Sequence, residues 1–466
     1  MCDNIQNYAA GATILGSFLS LLTKKYSKYI ALISVAAGLL LSCILIPPVI
    51  SGRNIFYEKI FTDFFSLVFS ADAFSVFMAV VSSFIGLLII IYSFGYIKEH
   101  ENQTEYYFYV TLFIGSMLGL VFSANLILIY IFWEITAVCS WQLIGFYRRE
   151  LHLRAGNQAF LVTFLGSALM LAGFGLIFKD FNTLNLNLLK GKEIPQLASV
   201  LILCGMLAKS AQLPFHLWLP DAGVAPSPVT ALLHAAVLVK IGVYAFARLF
   251  VFTFAVTPQF QEIVFIISIV TILVAGAVAF VENDIKRILA YSTVSQIGYI
   301  FLGFATNISI GIKGAVFFIL VHGLGKAGLF LTAGIVEHNT HEKDIRKLGG
   351  LSKTMPVASI AFLLCAFSII GFPPFGGFFA KLFVIMSLVQ SGKILFAVLA
   401  ILGAVFTLLY LLRMYNAVFL GKTSPATEGV AEKTNSMVFV VLILGILSLL
   451  TGLLSQIPLS FIEIIK

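Results

Sequence analysis

Long apolar stretches, separated by short polar or Pro/Gly-containing segments, run through the whole chain. A helix needs about 20 consecutive apolar residues to cross a bilayer, and most of these stretches reach that length. Their length and spacing predict fourteen membrane spans, numbered one to fourteen in chain order. The predicted spans lie at residues 5–22, 29–50, 74–97, 107–123, 125–147, 157–178, 196–219, 228–250, 263–281, 289–306, 311–335, 356–390, 393–419 and 437–458.

Two of the predicted spans contain helix-breaking residues. Span seven contains Pro214 near its end, and span twelve contains the sequence Gly-Phe-Pro-Pro-Phe-Gly-Gly at 371–377. A break within hydrocarbon frees backbone groups that need protein or water as partners. A matched pair of broken helices therefore favours an ion or substrate path, with a packed kink as the alternative.

The two breaks lie five spans apart, which predicts an internal repeat. Because each unit would have an odd number of helices, the two units would cross the membrane in opposite directions. We therefore expect N-terminal spans in 1–106, a first inverted repeat in 107–250, a second in 263–420 and a C-terminal span in 421–466. Leu-Cys pairs at 203–204 and 364–365 precede the two breaks at similar distances.

The composition agrees with a membrane protein: 60% of residues are hydrophobic, 11% are charged and the mean hydropathy is +1.03. Soluble domains carry about a quarter charged residues, so a soluble enzyme and a disordered chain are excluded. The net charge of +8 comes from scattered Lys and Arg without a basic patch, which does not favour nucleic-acid binding. The predicted fold class is an all-α polytopic membrane protein.

The distribution of loop charges predicts the orientation. Most loop Lys and Arg fall on the side of the loop between spans one and two, and the richer side is normally cytoplasmic. With an even number of spans, both termini then face outward. We expect a multi-pass protein of the cytoplasmic (inner) membrane of a prokaryote.

Five ionisable side chains fall near the middle of predicted spans: Glu134, Lys209, Lys240, Lys326 and Lys381. A charge at a helix centre costs about 2.5–3.5 kcal/mol on insertion scales, so five unpaired charges would cost on the order of 15 kcal/mol. Structural ion pairs or lysines reaching the interface are the alternatives. Their spread over five spans favours a functional row of charges.

Two histidines, His234 and His322, lie one to two helical turns from these lysines. Burial disfavours the charged form of a lysine, and a nearby carboxylate favours it. A lysine such as Lys209 that changes partners between Glu134 and Lys240 would change its proton affinity with each move. Histidine is a natural intermediate, because it titrates near neutral pH. The row therefore predicts a proton relay.

No pattern for a cofactor or metal stands out in the chain. Gly323–Gly328 matches GxGxxG but lies within an apolar span with no preceding strand, so close helix packing is the better interpretation. His338 and His341 have no Cys or third His nearby, so a solvated loop is favoured over a metal-binding pair. Patterns for haem, flavin or iron–sulfur binding are missing, so we expect no cofactor and no metal in this chain.

Five segments carry a family resemblance: FWEITAVCSWQLIGFY, LAKSAQLPFHLWLPDA, HAAVLVKIGVY, NDIKRILAYSTVSQIGY and GFPPFGGFFAK. Together they closely resemble the antiporter-like proton-pumping membrane subunits. That family includes the L, M and N subunits of bacterial complex I, the large subunits of Mrp-type antiporters, and subunits of membrane-bound hydrogenases and formate hydrogenlyase. The resemblance extends from about residue 70 to 420, and LPFHLWLPDA is highly specific.

The resemblance implies a role for each of six residues of the buried row. His234 joins the proposed relay because it lies close to the row in the sequence. Lys381 occupies a position where several members carry Glu, which favours the L-like or N-like forms. Phe318 stands where many L-like members carry a second histidine, so a two-histidine relay is not expected. The implied roles are a charge pair for Glu134 and Lys209, a connecting lysine for Lys240, a relay for His322 and Lys326, and an exit residue for Lys381.

The implied function is proton translocation within a redox-driven respiratory complex, either complex I-like or a membrane-bound hydrogenase. Iron–sulfur or nickel–iron centres are then expected only on partner subunits. Other membrane subunits, a peripheral redox arm, lipid and protons would be the partners. An Mrp-type sodium/proton antiporter subunit is the alternative, and a passive membrane anchor for a redox module is a third.

Overall fold

The computed structural model describes residues 4–62, 65–433 and 435–465, which are mostly α-helical. The α-helices are α1 Ile5–Leu22, α2 Ser27–Ile44, α3 Ile46–Ile50, α4 Ala73–Tyr96, α5 Gln103–Phe122, α6 Leu126–Ile144, α7 Glu150–Phe181, α8 Leu186–Leu189, α9 Gln196–Lys209, α10 Trp218–Asp221, α11 Ser227–Ala231, α12 Leu238–Phe246, α13 Pro258–Val281, α14 Ile285–Ala305, α15 Ser309–Thr340, α16 Pro356–Ile370, α17 Gly376–Gln390, α18 Ile394–Phe419, α19 Ser436–Leu453 and α20 Gln456–Ile462.

The predicted all-α polytopic class is confirmed. Within the described residues, eleven helices are long and apolar enough to cross a membrane. The shorter apolar helices α9, α16 and α17 belong to the two broken spans, and α1 has 18 residues. Together these elements correspond to the fourteen predicted spans.

Both predicted breaks are present. Helix α9 ends at Lys209, five residues before Pro214, and irregular backbone leads to α10. Helix α16 ends at Ile370 and α17 begins at Gly376. Gly371 closes α16 with φ +90°, a left-handed conformation that favours glycine. A Cβ on Gly377 would lie 1.7 Å from the Ser368 carbonyl oxygen, so the second break also requires glycine there.

The predicted span eight is confirmed as a helical segment over Ser227–Val251, but this segment is not a regular α-helix throughout. Helices α11 and α12 are separated by a π-helical turn at Leu232–Ala236, and a second π turn, Ala247–Val251, follows α12. Val237 between them has φ −127° and ψ −72°. His234 lies in the first of these π turns, which are often found at functional sites, and Lys240 lies in α12 between the two turns.

The segment between spans two and three, which the apolar pattern leaves as a loop, forms a β-hairpin. Strand β1, Ile55–Thr62, pairs antiparallel with β2, Phe65–Ala71, with Tyr57 opposite Phe69. The Ala124 amide donates to the Val68 carbonyl at 2.8 Å, which fixes the hairpin against the end of α5. We call this side of the molecule the hairpin face and the other side the opposite face.

Loops on each face contact one another. On the hairpin face, the Ala255 amide donates to the Lys192 carbonyl at 3.0 Å, and Lys313 pairs with Glu463. On the opposite face, the Ile285 amide donates to the Lys343 carbonyl at 3.0 Å. These contacts allow each helix end to be assigned to a face, and they place both ends of the described chain on the hairpin face.

The predicted inverted repeat has a structural counterpart. Asn125 caps α6 and forms a bridge with Asn185, and Asp284 caps α14 and forms a bridge with Asp344. Positions 125 and 284 are 159 residues apart, as are positions 185 and 344. The first pair lies on the hairpin face and the second on the opposite face, as an inverted repeat requires. The exact repeat boundaries remain predictions.

The glycines of the GxGxxG sequence lie inside α15, where Gly325 and Gly328 pack closely against α16 and Gly323 packs against Ile85 of α4. A Cβ on Gly325 would lie 2.9 Å from the Ile369 side chain, and a Cβ on Gly328 would lie 2.3 Å from the Cys365 sulfur. Close helix packing, the interpretation made from sequence, is therefore confirmed. The packing brings α15 against both halves of span twelve, which positions the buried charges described next.

Candidate functional site

All seven predicted site residues lie in the interior of the helix bundle. Each of the lysines and histidines among them is at most 4% exposed, and Glu134 is half-buried. The elements that hold them are α6 for Glu134, the last residue of α9 for Lys209, the first π turn for His234, α12 for Lys240, α15 for His322 and Lys326, and α17 for Lys381.

Glu134 and Lys209 are neighbours without forming a direct ion pair in this structure. The Lys209 amine donates to the Trp133 carbonyl at 3.1 Å and lies 5.4 Å from the centre of the Trp133 ring. The Oε1 atom of Glu134 is buried without a hydrogen-bond partner among the described residues. The carboxylate still acts on the Lys209 amine electrostatically. The two side chains of the expected pair are thus adjacent, without a direct hydrogen bond between them.

Helices α9 and α12 bring Lys209 toward Lys240. The Ser210 hydroxyl, next to Lys209, donates to the Val239 carbonyl at 2.9 Å. A Cβ on Gly242 would lie 2.1 Å from the Ser210 oxygen, so glycine permits this close approach. Lys209 and Lys240 do not form a hydrogen bond with each other; the hydrogen bond joins Ser210 and Val239, the residues next to them.

Lys240 and His322 are in direct contact, which joins span eight to span eleven. The Lys240 amine lies 3.0 Å from Nδ1 of His322, and both side chains are fully buried. When the amine carries its proton, it can donate to Nδ1, which then acts as the acceptor. Nε2 of His322 has no partner among the described residues. The imidazole therefore has one nitrogen available to a water molecule.

His234 and Lys326 lie near this contact. The His234 ring stacks on Phe330 at 4.3 Å, and neither of its nitrogens has a hydrogen-bond partner within the described part of the chain. Lys326 donates to the Leu289 carbonyl at 3.1 Å and to the Ser292 hydroxyl at 2.5 Å. Lys326 is thus held against α14 by two neutral acceptors.

Lys381 lies at the break in span twelve. Its amine donates to the carbonyls of Ile369 at 2.9 Å and Ile370 at 3.2 Å, which the end of α16 leaves free. It also lies 5.0 Å from the Tyr299 ring and 5.9 Å from the Phe318 ring. Phe318, at the position where the resemblance places a histidine in many L-like subunits, therefore lies between Lys381 and His322.

Several buried polar atoms near this row lack partners among the described residues. Buried polar groups are nearly always hydrogen-bonded, and where protein does not supply the partner, ordered water commonly does. Their clustering along the row is typical of a hydrated interior. Besides the Glu134 and histidine atoms, they include Nε1 of Trp133 and the side-chain oxygens of Gln212, Gln296, Thr332 and Ser368.

The sequence pattern did not reveal two sets of ion pairs toward the membrane faces, each with at least one largely buried member. On the hairpin face, Arg248 pairs with Asp72 at 2.5 Å. On the opposite face, Lys286, only 2% exposed, pairs with Glu337 at 2.6 Å, and Lys343 pairs with the same carboxylate at 3.0 Å. Burial opposes the charge of Lys343, but Glu337 holds its pKa above the ordinary value.

A sequence signal existed for one member of these pairs. Asp72 is followed three residues later by Ser75, a spacing typical of a helix cap, and the structure shows a capping box there. The apolar pattern placed the other charges at the ends of predicted spans, where charges are common. Only the fold shows that they are buried.

The fold and site together define a polytopic membrane protein with a row of buried ionisable groups between its two faces. A family model described as the NADH:quinone oxidoreductase/Mrp antiporter transmembrane region matches residues 123–407. A second, described as the N-terminus of complex I chain 5, matches residues 63–108. The chain belongs to the NADH:quinone oxidoreductase/Mrp antiporter family of membrane proteins.

Relatives from both branches of the family resemble this chain. NADH-quinone oxidoreductase subunit L of Buchnera aphidicola is 35% identical over 93% of this chain and 74% of the relative. Subunit L of Escherichia coli is 37% identical over 84% and 64%. A Na(+)/H(+) antiporter subunit of Alkalihalophilus pseudofirmus is 38% identical over 82% and 52%. The chain thus spans only about half of the length of that antiporter relative.

Two solved structures share the fold. A chain of the Mrp complex from Dietzia superposes with a TM-score of 0.90 at 24% identity, covering 99% of this chain and 96% of that chain. A chain of the membrane-bound sulfane sulfur reductase, described as an archaeal respiratory membrane complex, superposes with a TM-score of 0.91 at 22% identity, with the same coverage. At these identities the similarity establishes the architecture.

Proposed function

We propose that this chain is a proton-translocating subunit of a redox-driven respiratory complex. The observation that carries the proposal is the row of buried amines and imidazoles running from Lys209 through Lys240 and His322 toward Lys326 and Lys381. Such groups are costly in a membrane interior, and in membrane proteins they commonly mark ion pathways. The partnerless polar atoms beside them supply positions where water would complete the path.

In the proposed mechanism, the Glu134 carboxylate controls the proton affinity of Lys209. When Lys209 moves from the Trp133 carbonyl to the carboxylate, its charged form is stabilised. When it moves back, the proton becomes easier to release toward Lys240. The contact between Lys240 and Nδ1 of His322 then passes the charge to span eleven.

Partner subunits supply the energy in this proposal. Moving one charge against 100 mV costs about 2.3 kcal/mol, so uphill transport needs an external drive. Other membrane subunits and a peripheral redox arm carrying iron–sulfur or nickel–iron centres would provide it. We place the chain in the cytoplasmic membrane of a prokaryote, with both termini outside and the opposite face toward the cytoplasm.

Proton flux per electron in membrane vesicles tests the proposal. Lys209→Met and Glu134→Gln should lower flux at least tenfold at unchanged assembly, because each removes one titrating group of the pair. The matched control is Lys179→Met, since Lys179 is an exposed lysine at the end of α7, and it should leave flux unchanged. Normal flux in an assembled Lys209→Met complex would refute the relay and favour a passive anchor.

A sodium/proton antiporter subunit is the second candidate, favoured by the similarity to the Alkalihalophilus antiporter protein over 82% of this chain. Mass spectrometry of the complex purified through this chain in mild detergent distinguishes the two. Co-purifying iron–sulfur, hydrogenase or NADH-oxidising subunits support the redox-driven complex. Small hydrophobic subunits alone, together with sodium-dependent transport, support the antiporter.

A further inference from the structure

Three side chains on span eight form a ladder between the buried row and the hairpin face. Lys240, Tyr244 and Arg248 are spaced four residues apart, so they lie on one side of the helix. The Arg248 Nε donates to the Tyr244 hydroxyl at 3.0 Å. Tyr244 and Lys240 are fully buried, and Arg248 is 14% exposed. The ladder leads from Lys240 toward the surface that carries the β-hairpin.

Asp72 closes the outer end of this ladder. Its two carboxylate oxygens accept from the two terminal nitrogens of Arg248 at 2.5 and 2.9 Å, a two-point contact that fixes both groups. Oδ1 of Asp72 also accepts from the Ser75 amide at 2.8 Å and caps α4. The ion pair therefore ties the start of α4 to the end of span eight.

A cavity of about 620 Å³ lies outside the ion pair on the hairpin face. A single water needs only about 10–15 Å³ by the same measure, so the cavity can hold many waters. Polar and apolar groups share its wall, which carries both charges of the pair. Polar lining residues include Asp72, Arg248, Ser123, Asn187, Lys190 and Thr253.

Two aromatic side chains lie beside the guanidinium: Phe74 on the cavity wall, and the fully buried Tyr244. The Phe74 ring stacks on the Tyr244 ring at 5.0 Å, and the guanidinium of Arg248 lies 5.5 and 5.3 Å from these two rings. The Tyr244 hydroxyl donates to the Val121 carbonyl at 2.5 Å, which holds the ring in place. Along span eight, Tyr244 and Arg248 thus lie between Lys240 and the cavity.

We propose that the Asp72–Arg248 pair, together with the Phe74 and Tyr244 rings beside it, is a gate that controls access from the hairpin-face cavity to Lys240. The inference rests on the proposed function, since a gate has a purpose only if Lys240 exchanges protons. Opening it requires Arg248 to leave Asp72, and a guanidinium that moves away also gives up its bond to the Tyr244 hydroxyl, which keeps its bond to the Val121 carbonyl. The gate gives the proton path its opening on the hairpin face.

Cysteine accessibility tests the gate directly. In a chain without native cysteines, Lys240→Cys is exposed to a small, charged, membrane-impermeant thiol reagent applied to the hairpin face of the intact complex. The thiol should react slowly with the gate intact and at least tenfold faster when Asp72→Asn is added. Asn retains the capping ability of Asp at the start of α4 but loses the charge, so the fold is kept.

Three controls complete the experiment. Lys190→Cys, on the cavity wall, should react rapidly whether or not the gate is present. Glu105→Gln removes the exposed ion pair with Arg148 on the opposite face and should not change the reactivity of Lys240→Cys. Arg248→Gln removes the other partner of the gate and should act like Asp72→Asn.

The outcomes separate this inference from the proposed function. Equal reaction rates with and without Asp72→Asn and Arg248→Gln overturn the gate, even if Lys209→Met abolishes proton flux. Accelerated reaction in both gate variants supports the gate. If Lys209→Met then leaves flux unchanged, the proposed function fails while the gated access to position 240 stands.

Discussion

Replacing Lys381 should damage the structure as well as transport, and in this it should differ from Lys209. The Lys381 amine donates to the carbonyls of Ile369 and Ile370, where α16 has ended and no described backbone amide bonds to them. Lys209 donates to the Trp133 carbonyl, which the Thr136 hydroxyl also contacts at 2.6 Å. Methionine at either position keeps the length of the side chain and removes the amine.

The expected difference follows from counting acceptors left without a partner. Each buried polar group that loses its only partner costs about 1–3 kcal/mol, so the two carbonyls released by Lys381→Met cost about 2–6 kcal/mol. Lys209→Met releases none, because the Trp133 carbonyl keeps its other partners. Both lysines are buried, at 4% and 0% exposure, so the desolvation of the amine largely cancels between the variants.

Equilibrium unfolding of the purified chain in mixed detergent micelles measures this difference. Lys381→Met should be less stable than Lys209→Met by about 2–6 kcal/mol, while both abolish proton flux. Lys381→Arg is the matched control, because a guanidinium donates hydrogen bonds but does not release its proton. It should retain stability and lose flux. Equal stability of the two methionine variants would refute the assignment of Lys381 to the freed carbonyls.

Two further substitutions test the break and the opposite face. Gly377→Ala should lower the unfolding free energy by at least about 1–3 kcal/mol through overpacking, since its Cβ would lie 1.7 Å from the Ser368 carbonyl oxygen; unchanged stability in the same micelle assay would contradict this. Glu337→Gln should cost about 3–5 kcal/mol, because it leaves Lys286 buried without its ion pair. The double variant Glu337→Gln with Lys286→Met should recover most of the lost unfolding free energy. If the effects of the two substitutions simply add, the energetic coupling between Lys286 and Glu337 is disproved.

Much of the membrane architecture could be predicted from the sequence, because the bilayer imposes a simple length rule on apolar stretches. The same rule makes buried charges conspicuous. Glu134, Lys209 and Lys240 stood out because insertion in hydrocarbon is costly for each of them. The breaks were predictable from glycine and proline, whose backbone chemistry is local. A charged residue, a glycine or a proline within a long apolar stretch can therefore be interpreted from a single sequence.

The features that were missed depend on contacts between distant segments. The two strands Ile55–Thr62 and Phe65–Ala71 have no strong alternation of polar and apolar residues, and contacts with the end of α5 hold them in place. The π turns on either side of α12 cannot be recognised in the apolar pattern of span eight. Asp72 and Arg248 are 176 positions apart, so their pairing becomes visible only in the fold.

The partners of the buried charges differ between the interior and the faces, and this difference suits transport. Ion pairs occur toward the faces, where Asp72 holds Arg248 and Glu337 holds Lys286 and Lys343. A carboxylate contact strongly favours the charged form of an amine, whereas a neutral acceptor favours it much less. An amine held only by neutral groups can lose or gain a proton at a smaller cost. The interior amines have neutral acceptors: Trp133 O for Lys209, Nδ1 of His322 for Lys240, Leu289 O and Ser292 Oγ for Lys326, and Ile369 O and Ile370 O for Lys381.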